Sequence, residues 1–111
     1  MTMSVSTAAA ELIARGLSLG SPAARTFAVV NPANGAHIAD VADRNGDDMH
    51  AAIASAKAAF PAWSARTAKE RGAILRRWHG LVVDHADVLA EILTLEQGKP
   101  LAEARGEVAY A

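Results

Sequence analysis

From residue 45 to the end of the chain, apolar side chains recur at spacings of three and four residues, the repeat of an amphipathic helix. Three successive stripes can be traced in this part of the sequence. Their members are Met49, Ala52, Ile53, Ala56, Ala59 and Phe60; Ile74, Leu75, Trp78, Leu81 and Val82; and Val88, Leu89, Ile92, Leu93 and Leu95. The stripes predict three helices, and the stretch from Leu101 to Tyr110 predicts part of a fourth.

Local start and stop signals indicate where these helices begin and end. Thr67 and Glu70 have the spacing of a capping box, in which each side chain accepts a hydrogen bond from the amide of the other residue. Pro61 predicts the end of the first helix. Gly98, which suits a left-handed backbone, and Pro100, which cannot continue a helix, predict the end of the third.

A β-hairpin is predicted before the helices. Residues 26–30 and 36–42 have strand character, and residues 31–35 between them carry the proline, asparagine and glycine of a turn. Since an isolated hairpin is marginal in water, we expect this one to pack on helices or on another sheet. Asn45 or Asp47 can then accept hydrogen bonds from the first amides of the following helix.

The two ends of the chain carry weaker signals. Residues 1–24 are rich in alanine, serine and glycine, and Thr7 to Arg15, followed by Gly16, is the best candidate for a short helix there. Because this leader has few large apolar side chains, we expect it to be poorly ordered unless another element covers it. The fourth helix reaches Ala111 without a capping signal, so we expect a truncated end there.

The composition argues against several classes of function. The chain has 11 basic and 12 acidic residues and a net charge of −1, which gives no electrostatic reason to expect a nucleic acid or an anionic membrane as partner. No apolar run is long enough to span a bilayer and no secretory signal is visible, so a cytoplasmic setting is expected. The sequence has no cysteine, which excludes disulfides and thiol nucleophiles within it.

Several segments, in the same order and spacing, resemble the aldehyde dehydrogenase superfamily. The first is similar to an Asn-Pro-Ala-Thr-Gly hairpin segment near the start of those enzymes, and the last two are similar to the succinate-semialdehyde dehydrogenase branch. The segments are residues 26–35, 58–63, 67–71, 75–78, 95–104 and 106–111. The resemblance therefore extends over residues 26–111.

The resemblance implies an α/β parent protein of several hundred residues, of which this chain is a mostly α-helical amino-terminal fragment with one hairpin. Residues 25–111 would form the amino-terminal part of the nucleotide-binding domain. The parent would be a homo-oligomer that uses NAD or NADP to oxidise succinate semialdehyde, or a similar small aldehyde, to the acid. Neither a nucleic acid nor a membrane is expected as its partner.

The resemblance also implies where the chemistry lies. In the family a cysteine thiolate attacks the aldehyde, hydride passes to the nicotinamide, and a glutamate activates water. These groups lie downstream of the matching region. This chain has no cysteine and no three glycines with the G-x-G-x-x-G spacing of a dinucleotide-binding turn. We therefore expect it to contain no catalytic or cofactor-binding residue, to bind no cofactor and to be inactive alone.

Glu96 is the candidate metal ligand. A carboxylate at the carboxyl end of a helix opposes the helix dipole, which favours a compensating cation. The resemblance implies a monovalent cation held by a carboxylate and backbone carbonyls in some family members, and the matching positions are Glu96 and the backbone of Val29 and Val30. The alternative is a solvent-exposed glutamate or an ion pair between Glu96 and Lys99.

Glu107 and Tyr110 are candidates for the substrate entrance, because the resemblance places their helix near the mouth of the substrate tunnel. The alternative is a surface acid and a core aromatic residue. Trp78 is expected in the core, on the second stripe. The four histidines do not have the spacing of a metal set.

Two other functions stay open beside the enzyme fragment: a stand-alone helical interaction or regulatory module, and a truncated gene product. The burial of the apolar stripes separates the enzyme fragment from the stand-alone module. The apolar stripes of a fragment should remain uncovered, whereas those of a module should close on one another or on a dimer partner.

Overall fold

The computed structural model describes residues 4–18 and 25–111, with only the backbone of Ser18. This part of the chain is mostly helical and contains one β-hairpin, as predicted. In chain order its elements are α1 (Thr7–Ser18), β1 (Thr26–Val30), β2 (His37–Ala42), α2 (Gly46–Ser64), α3 (Ala68–Asp84), α4 (Ala86–Gln97) and α5 (Leu101–Tyr110). No helix within the described ranges is long and apolar enough to cross a membrane.

Strands β1 and β2 pair antiparallel, in a register that places Phe27 opposite Val41. The second strand begins one residue later than predicted. The carbonyl of Ala36 accepts from the amide of Asn31 at 2.8 Å, and the amide of Ala36 donates to Oδ1 of Asn34 at 2.9 Å. Ala36 is therefore part of the turn, and the loop has six residues, 31–36, instead of the five predicted.

The chain forms two compact units, the first comprising residues 1–43 and 82–111 and the second residues 44–81. In the described part of the first unit, α4 packs against both α5 and α1. Four apolar side chains are fully buried here: Ala90 and Leu95 of α4, Ala9 of α1 and Ala104 of α5. Three of the four are alanines, so these helices can approach closely.

Helix α1 lies within the predicted leader. It extends three residues beyond the predicted Thr7–Arg15, and it packs on α4, which covers part of it. Poor order of the leader stays a prediction. Residues 19–24 of the leader lie outside the described residues.

Helix α2, in the second unit, begins with a capping box. Oδ1 of Asn45 accepts from the amides of Asp47 at 2.9 Å and Asp48 at 3.1 Å, and the Asp48 carboxylate accepts from the amide of Asn45 at 3.0 Å. Of the two predicted caps, Asn45 is the one used. The hydrogen bond from the Asn45 backbone, helped by Arg44, lowers the pKa of Asp48.

Helix α2 runs through Pro61, so the prediction that Pro61 ends it was wrong. A proline removes one backbone donor and crowds the carbonyl four residues earlier, which here belongs to Lys57. The side chains of this turn are exposed, so water can reach that carbonyl. Helical bonding resumes beyond the proline, because the amide of Ala65 donates to the carbonyl of Pro61 at 3.1 Å.

The predicted capping box at the start of α3 is confirmed. The amide of Thr67 donates to Oε2 of Glu70 at 2.7 Å, and the amide of Glu70 donates to Oγ1 of Thr67 at 3.3 Å. The Thr67 hydroxyl also donates to Oε2 at 2.8 Å. The hydroxyl and amide of Thr67 stabilise the charged carboxylate and so lower the pKa of Glu70.

The second unit leaves its large apolar side chains exposed, and neither α2 nor α3 contains a buried residue. We call this set the exposed apolar surface: Met49, Ile53, Phe60, Trp63, Leu75, Trp78 and Leu81. Trp78 is 66% exposed, so its prediction as a core residue was wrong. A helical repeat shows which face is apolar, but it does not show whether another part of the chain covers that face.

Candidate functional site at the corner between helices four and five

The sequence candidates Glu96, Glu107 and Tyr110 lie around the corner that joins α4 to α5 in the first unit. Gly98 closes α4 in the left-handed conformation, with φ 75°, and its amide donates to the carbonyl of Thr94 at 2.8 Å. Pro100 then starts α5, where its carbonyl accepts from the amides of Glu103 and Ala104 at 3.0 and 3.1 Å. The predicted roles of Gly98 and Pro100 are therefore confirmed.

The hairpin packs against this corner. A Cβ atom added to Gly98 would lie 2.9 Å from Cγ of Pro32, a distance that real side chains do not adopt. Beside this contact the turn residue Asn31 is buried, with its Oδ1 accepting from the amide of Ala33 at 2.9 Å. The turn of the hairpin therefore contacts helices in the first unit, whereas most of β1 is exposed, so packing of the strands themselves stays a prediction.

Glu107 forms an ion pair with Lys99 across the corner. The Lys99 side chain is 18% exposed, so its charge lies in a partly desolvated place, whereas the Glu107 side chain is 56% exposed. Lys99 therefore pairs with Glu107, and not with Glu96 as the alternative interpretation of the sequence had it. A second ion pair joins the two helices, between Nε of Arg105 and Oδ1 of Asp87 at 2.9 Å.

Glu96 is exposed in the last turn of α4, and its carboxylate makes no hydrogen bond or ion pair with the described residues. The described residues also contain no group of three or more histidine or acidic side chains that could hold a metal. A cation at Glu96 would therefore depend on backbone carbonyls, which suit hard cations by ligand type. The metal role of Glu96 stays a prediction.

Tyr110 is 95% exposed at the end of α5, so the alternative interpretation of a core aromatic does not apply to it in this chain. Its ring and the Glu107 carboxylate both lie on the last two turns of α5. The Glu107 carboxylate pairs with Lys99, and the sequence has no cysteine. The role of Glu107 and Tyr110 at a substrate entrance stays a prediction.

Sequence reasoning missed the Lys99–Glu107 pair and a buried hydroxyl nearby. Opposite charges eight positions apart are no signal along one helix; the corner at Gly98 and Pro100 brings these two together. Oγ1 of Thr94 is buried without a hydrogen-bond partner among the described residues. Such a group is costly when unpaired and nothing in the sequence marks it.

A cleft of about 330 Å³ lies beside the hairpin turn, lined by residues that include Ser4, Asn31, Asn34, His37 and Leu95. Three of its polar side chains, those of Asn31, Asn34 and His37, have partners within the hairpin. Oδ1 of each asparagine accepts from a turn amide, and Nε2 of His37 lies 3.2 Å from Oδ1 of Asp40. These three side chains therefore stabilise the hairpin and its turn.

Comparison with known proteins gives the same assignment at the level of sequence and of fold. The sequence model of the aldehyde dehydrogenase family matches residues 20–111. The chain is 55% identical over 83 residues to succinate-semialdehyde dehydrogenase (NADP+) of Escherichia coli, and 52% identical over 87 residues to glutarate-semialdehyde dehydrogenase of Pseudomonas putida. The aligned parts are 75% and 78% of this chain but 17% and 18% of those proteins.

The fold has equally similar solved counterparts. The crystal structure of succinate-semialdehyde dehydrogenase from Burkholderia pseudomallei superimposes with a TM-score of 0.75 and 52% identity, over 78% of this chain and 18% of that one. The chain thus spans less than a fifth of the length of the relatives it matches.

Proposed function

Because the chain belongs to the aldehyde dehydrogenase family, we propose that it is the amino-terminal segment of an NAD(P)-dependent enzyme that oxidises succinate semialdehyde, or a similar small aldehyde, to the acid. Relatives carry the names of succinate- and glutarate-semialdehyde dehydrogenases, which motivates a dicarboxylic semialdehyde as substrate. By itself the segment would be inactive and would bind neither NAD nor NADP.

The exposed apolar surface is the observation that supports the segment interpretation. Phe60 and Trp78 are 64% and 66% exposed, and aromatic side chains of this size bury roughly 150 to 250 Å² each in folded proteins. So many large apolar side chains left exposed on two neighbouring elements of the sequence are typical of a surface that another part of a protein covers. A self-contained module would close its apolar stripes on one another. Among the described residues the stripes of α2 and α3 are largely open, whereas the stripe of α4 packs against α1 and α5.

The absence of cysteine supports the proposed inactivity of the chain. Aldehyde oxidation in this family needs a thiolate that forms a bond to the aldehyde carbon, so that hydride can leave that carbon for the nicotinamide. This sequence has no cysteine, so no residue of it supplies a thiolate. The segment would instead contribute packing surface, and α5 would place Glu107 and Tyr110 near the substrate entrance of the whole enzyme.

We also propose that the parent is a cytoplasmic homo-oligomer and that Glu96 contributes to a monovalent cation site. The cation proposal is tested by the thermal midpoint of the chain in potassium, sodium and tetramethylammonium chloride. A midpoint that rises with one alkali cation in the unsubstituted chain, and not in Glu96→Gln, supports the site. Equal midpoints in all three salts exclude it.

A chimera tests the segment proposal. The matching amino-terminal stretch of the Escherichia coli relative is replaced by residues 26–111 of this chain, and formation of NADPH from succinate semialdehyde is followed. An active chimera is expected. The matched variant Trp78→Asp should abolish folding of the chimera, where the rest of the enzyme covers Trp78, yet leave the helix content of the free chain unchanged. A folded chimera without activity would overturn the proposal.

A further inference from the structure

Helix α1 is held against α4 by a contact between residues 85 positions apart in the sequence. The amide of Ser6 donates to Oε1 of Glu91 at 2.8 Å, and the Ser6 hydroxyl donates to Oε2 of the same carboxylate at 2.7 Å. Both residues are partly buried. Helix α1 precedes the residues 20–111 that match the family, so this contact joins an additional element to the shared part of the chain.

The Ser6 hydroxyl has a second role, as the cap of α1. Its oxygen accepts from the amide of Ala9 at 3.2 Å while its proton is donated to Glu91. In a capping box within one helix, a glutamate three residues after the serine accepts from the serine amide. Position 9 is an alanine here, and Glu91 of α4 takes the place of that glutamate.

The side chains that α1 and α4 bury fully beside this contact are small, so the buried apolar area is small. Ala9 of α1 and Ala90 of α4 are fully buried, whereas Leu12 and Ile13 of α1 are half-buried. An alanine buries far less apolar surface than a leucine, so the hydrophobic stabilisation of α1 is modest. A groove of about 150 Å³, lined in part by Ala8, Leu12 and Val88, remains between the helices.

The electrostatics also favour this position of the carboxylate. The amino end of a helix carries partial positive charge from its free amides, and an anion placed there is stabilising. Glu91 supplies that anion from a different element, so the start of α1 and its attachment to α4 depend on the same group. Loss of the carboxylate therefore removes a helix cap and a tertiary contact together.

We propose that Ser6 and Glu91 form the docking contact that fastens α1 to α4, and that α1 is a separable strap whose release leaves the hairpin, α4 and α5 folded. Glu91 acts as a positioning residue for α1. This inference is independent of the proposed enzymatic function, because Ser6 and α1 lie outside residues 20–111, which match the family.

Hydrogen exchange of the full chain, measured by mass spectrometry or NMR, tests the docking contact. Ser6→Ala and Glu91→Gln are expected to speed amide exchange in α1 about 10- to 100-fold, the range for a hydrogen bond to a charged group. Exchange in β1, β2 and α5 should change less than about 2-fold. Two controls, Ser6→Thr, which keeps the hydroxyl, and Glu103→Gln, an equal charge change on α5, should show the same amide exchange in α1 as the unsubstituted chain.

A charge exchange tests whether the pairing itself matters. Ser6→Asp places a second carboxylate beside Glu91 and should release α1, whereas Ser6→Asp combined with Glu91→Lys should restore protection. The proposal is overturned if Ser6→Ala and Glu91→Gln both leave α1 exchange unchanged. It is equally overturned if they speed exchange in the hairpin and α5 as much as in α1, because α1 would then not be separable.

Discussion

Gly98 lies against Pro32 so closely that a single added methyl group at Gly98 would sit 2.9 Å from Cγ of the proline. The glycine ends α4 and the proline belongs to the hairpin turn. Gly98 also has φ 75°, a backbone conformation that residues with a Cβ atom rarely adopt. One residue therefore meets two requirements: it reverses the chain at the end of α4 and it lets the hairpin approach.

Gly98→Ala is predicted to destabilise the first unit by more than the usual cost of a left-handed alanine, which is about 1–2 kcal/mol. The excess comes from the contact with Pro32. Chemical denaturation of the chain measures both quantities. Gly35→Ala is the matched control, since Gly35 has φ 70° and no atom within 4 Å of an added Cβ. Equal losses at the two glycines would show that the contact with Pro32 does not matter.

The capping box at Thr67 predicts a pH dependence of α3. Because the folded pKa of Glu70 lies below its ordinary value of 4.5, the carboxylate stabilises α3 fully above that value. The contribution is lost as the pH falls through the lowered folded pKa. An NMR titration of the Glu70 side chain should give a pKa that rises in Thr67→Ala and stays low in Thr67→Ser. A pKa that is the same in all three chains would contradict the assignment.

The ion pair at the corner predicts that Glu107→Gln is mildly destabilising, by roughly 0.5–1 kcal/mol, because it leaves the partly buried ammonium of Lys99 unpaired. Combining Glu107→Gln with Lys99→Met removes the unpaired charge and keeps most of the buried aliphatic part of the side chain. The stability should then return toward that of the unsubstituted chain. Thermal unfolding in low salt measures the effect. Additive losses in the double variant would mean that the two residues do not interact.

The exposed apolar surface predicts that acrylamide quenches Trp78 more strongly than Trp63, which are 66% and 37% exposed. Each tryptophan is isolated by the change of the other to phenylalanine. In the chimera with the Escherichia coli relative, quenching of Trp78 should fall sharply as the rest of the enzyme covers it. Strong quenching of Trp78 that persists in the folded chimera would contradict the proposed cover.

Local features of this fold could be predicted from the sequence because their partners lie a few residues apart. The Thr67–Glu70 capping box and the turn at Gly98 depend on three or four neighbouring residues. Strand β1 was predicted with the bounds that the structure has, since its alternating apolar residues and the dense turn after it are both local signals. The family resemblance had the same origin, in short motifs in a fixed order.

The features that could not be predicted depend on distant or absent partners. Ser6 meets Glu91 across 85 positions, and Lys99 meets Glu107 only because the chain turns between them. Trp78 was placed in the core because its stripe is apolar, but no periodicity shows what covers a stripe. Pro61 was expected to end α2, yet an exposed helix tolerates the loss of one backbone hydrogen bond near its end.

We propose above that this chain contributes structure, and not chemistry, to an aldehyde dehydrogenase. It is tested most directly by incubating the purified 111-residue chain with succinate semialdehyde and either NAD or NADP, and following the reduced nucleotide by its absorbance. The predicted result is no nucleotide reduction above the rate without protein. Reduction that scales with the concentration of the chain, and survives repeated purification, would contradict the account.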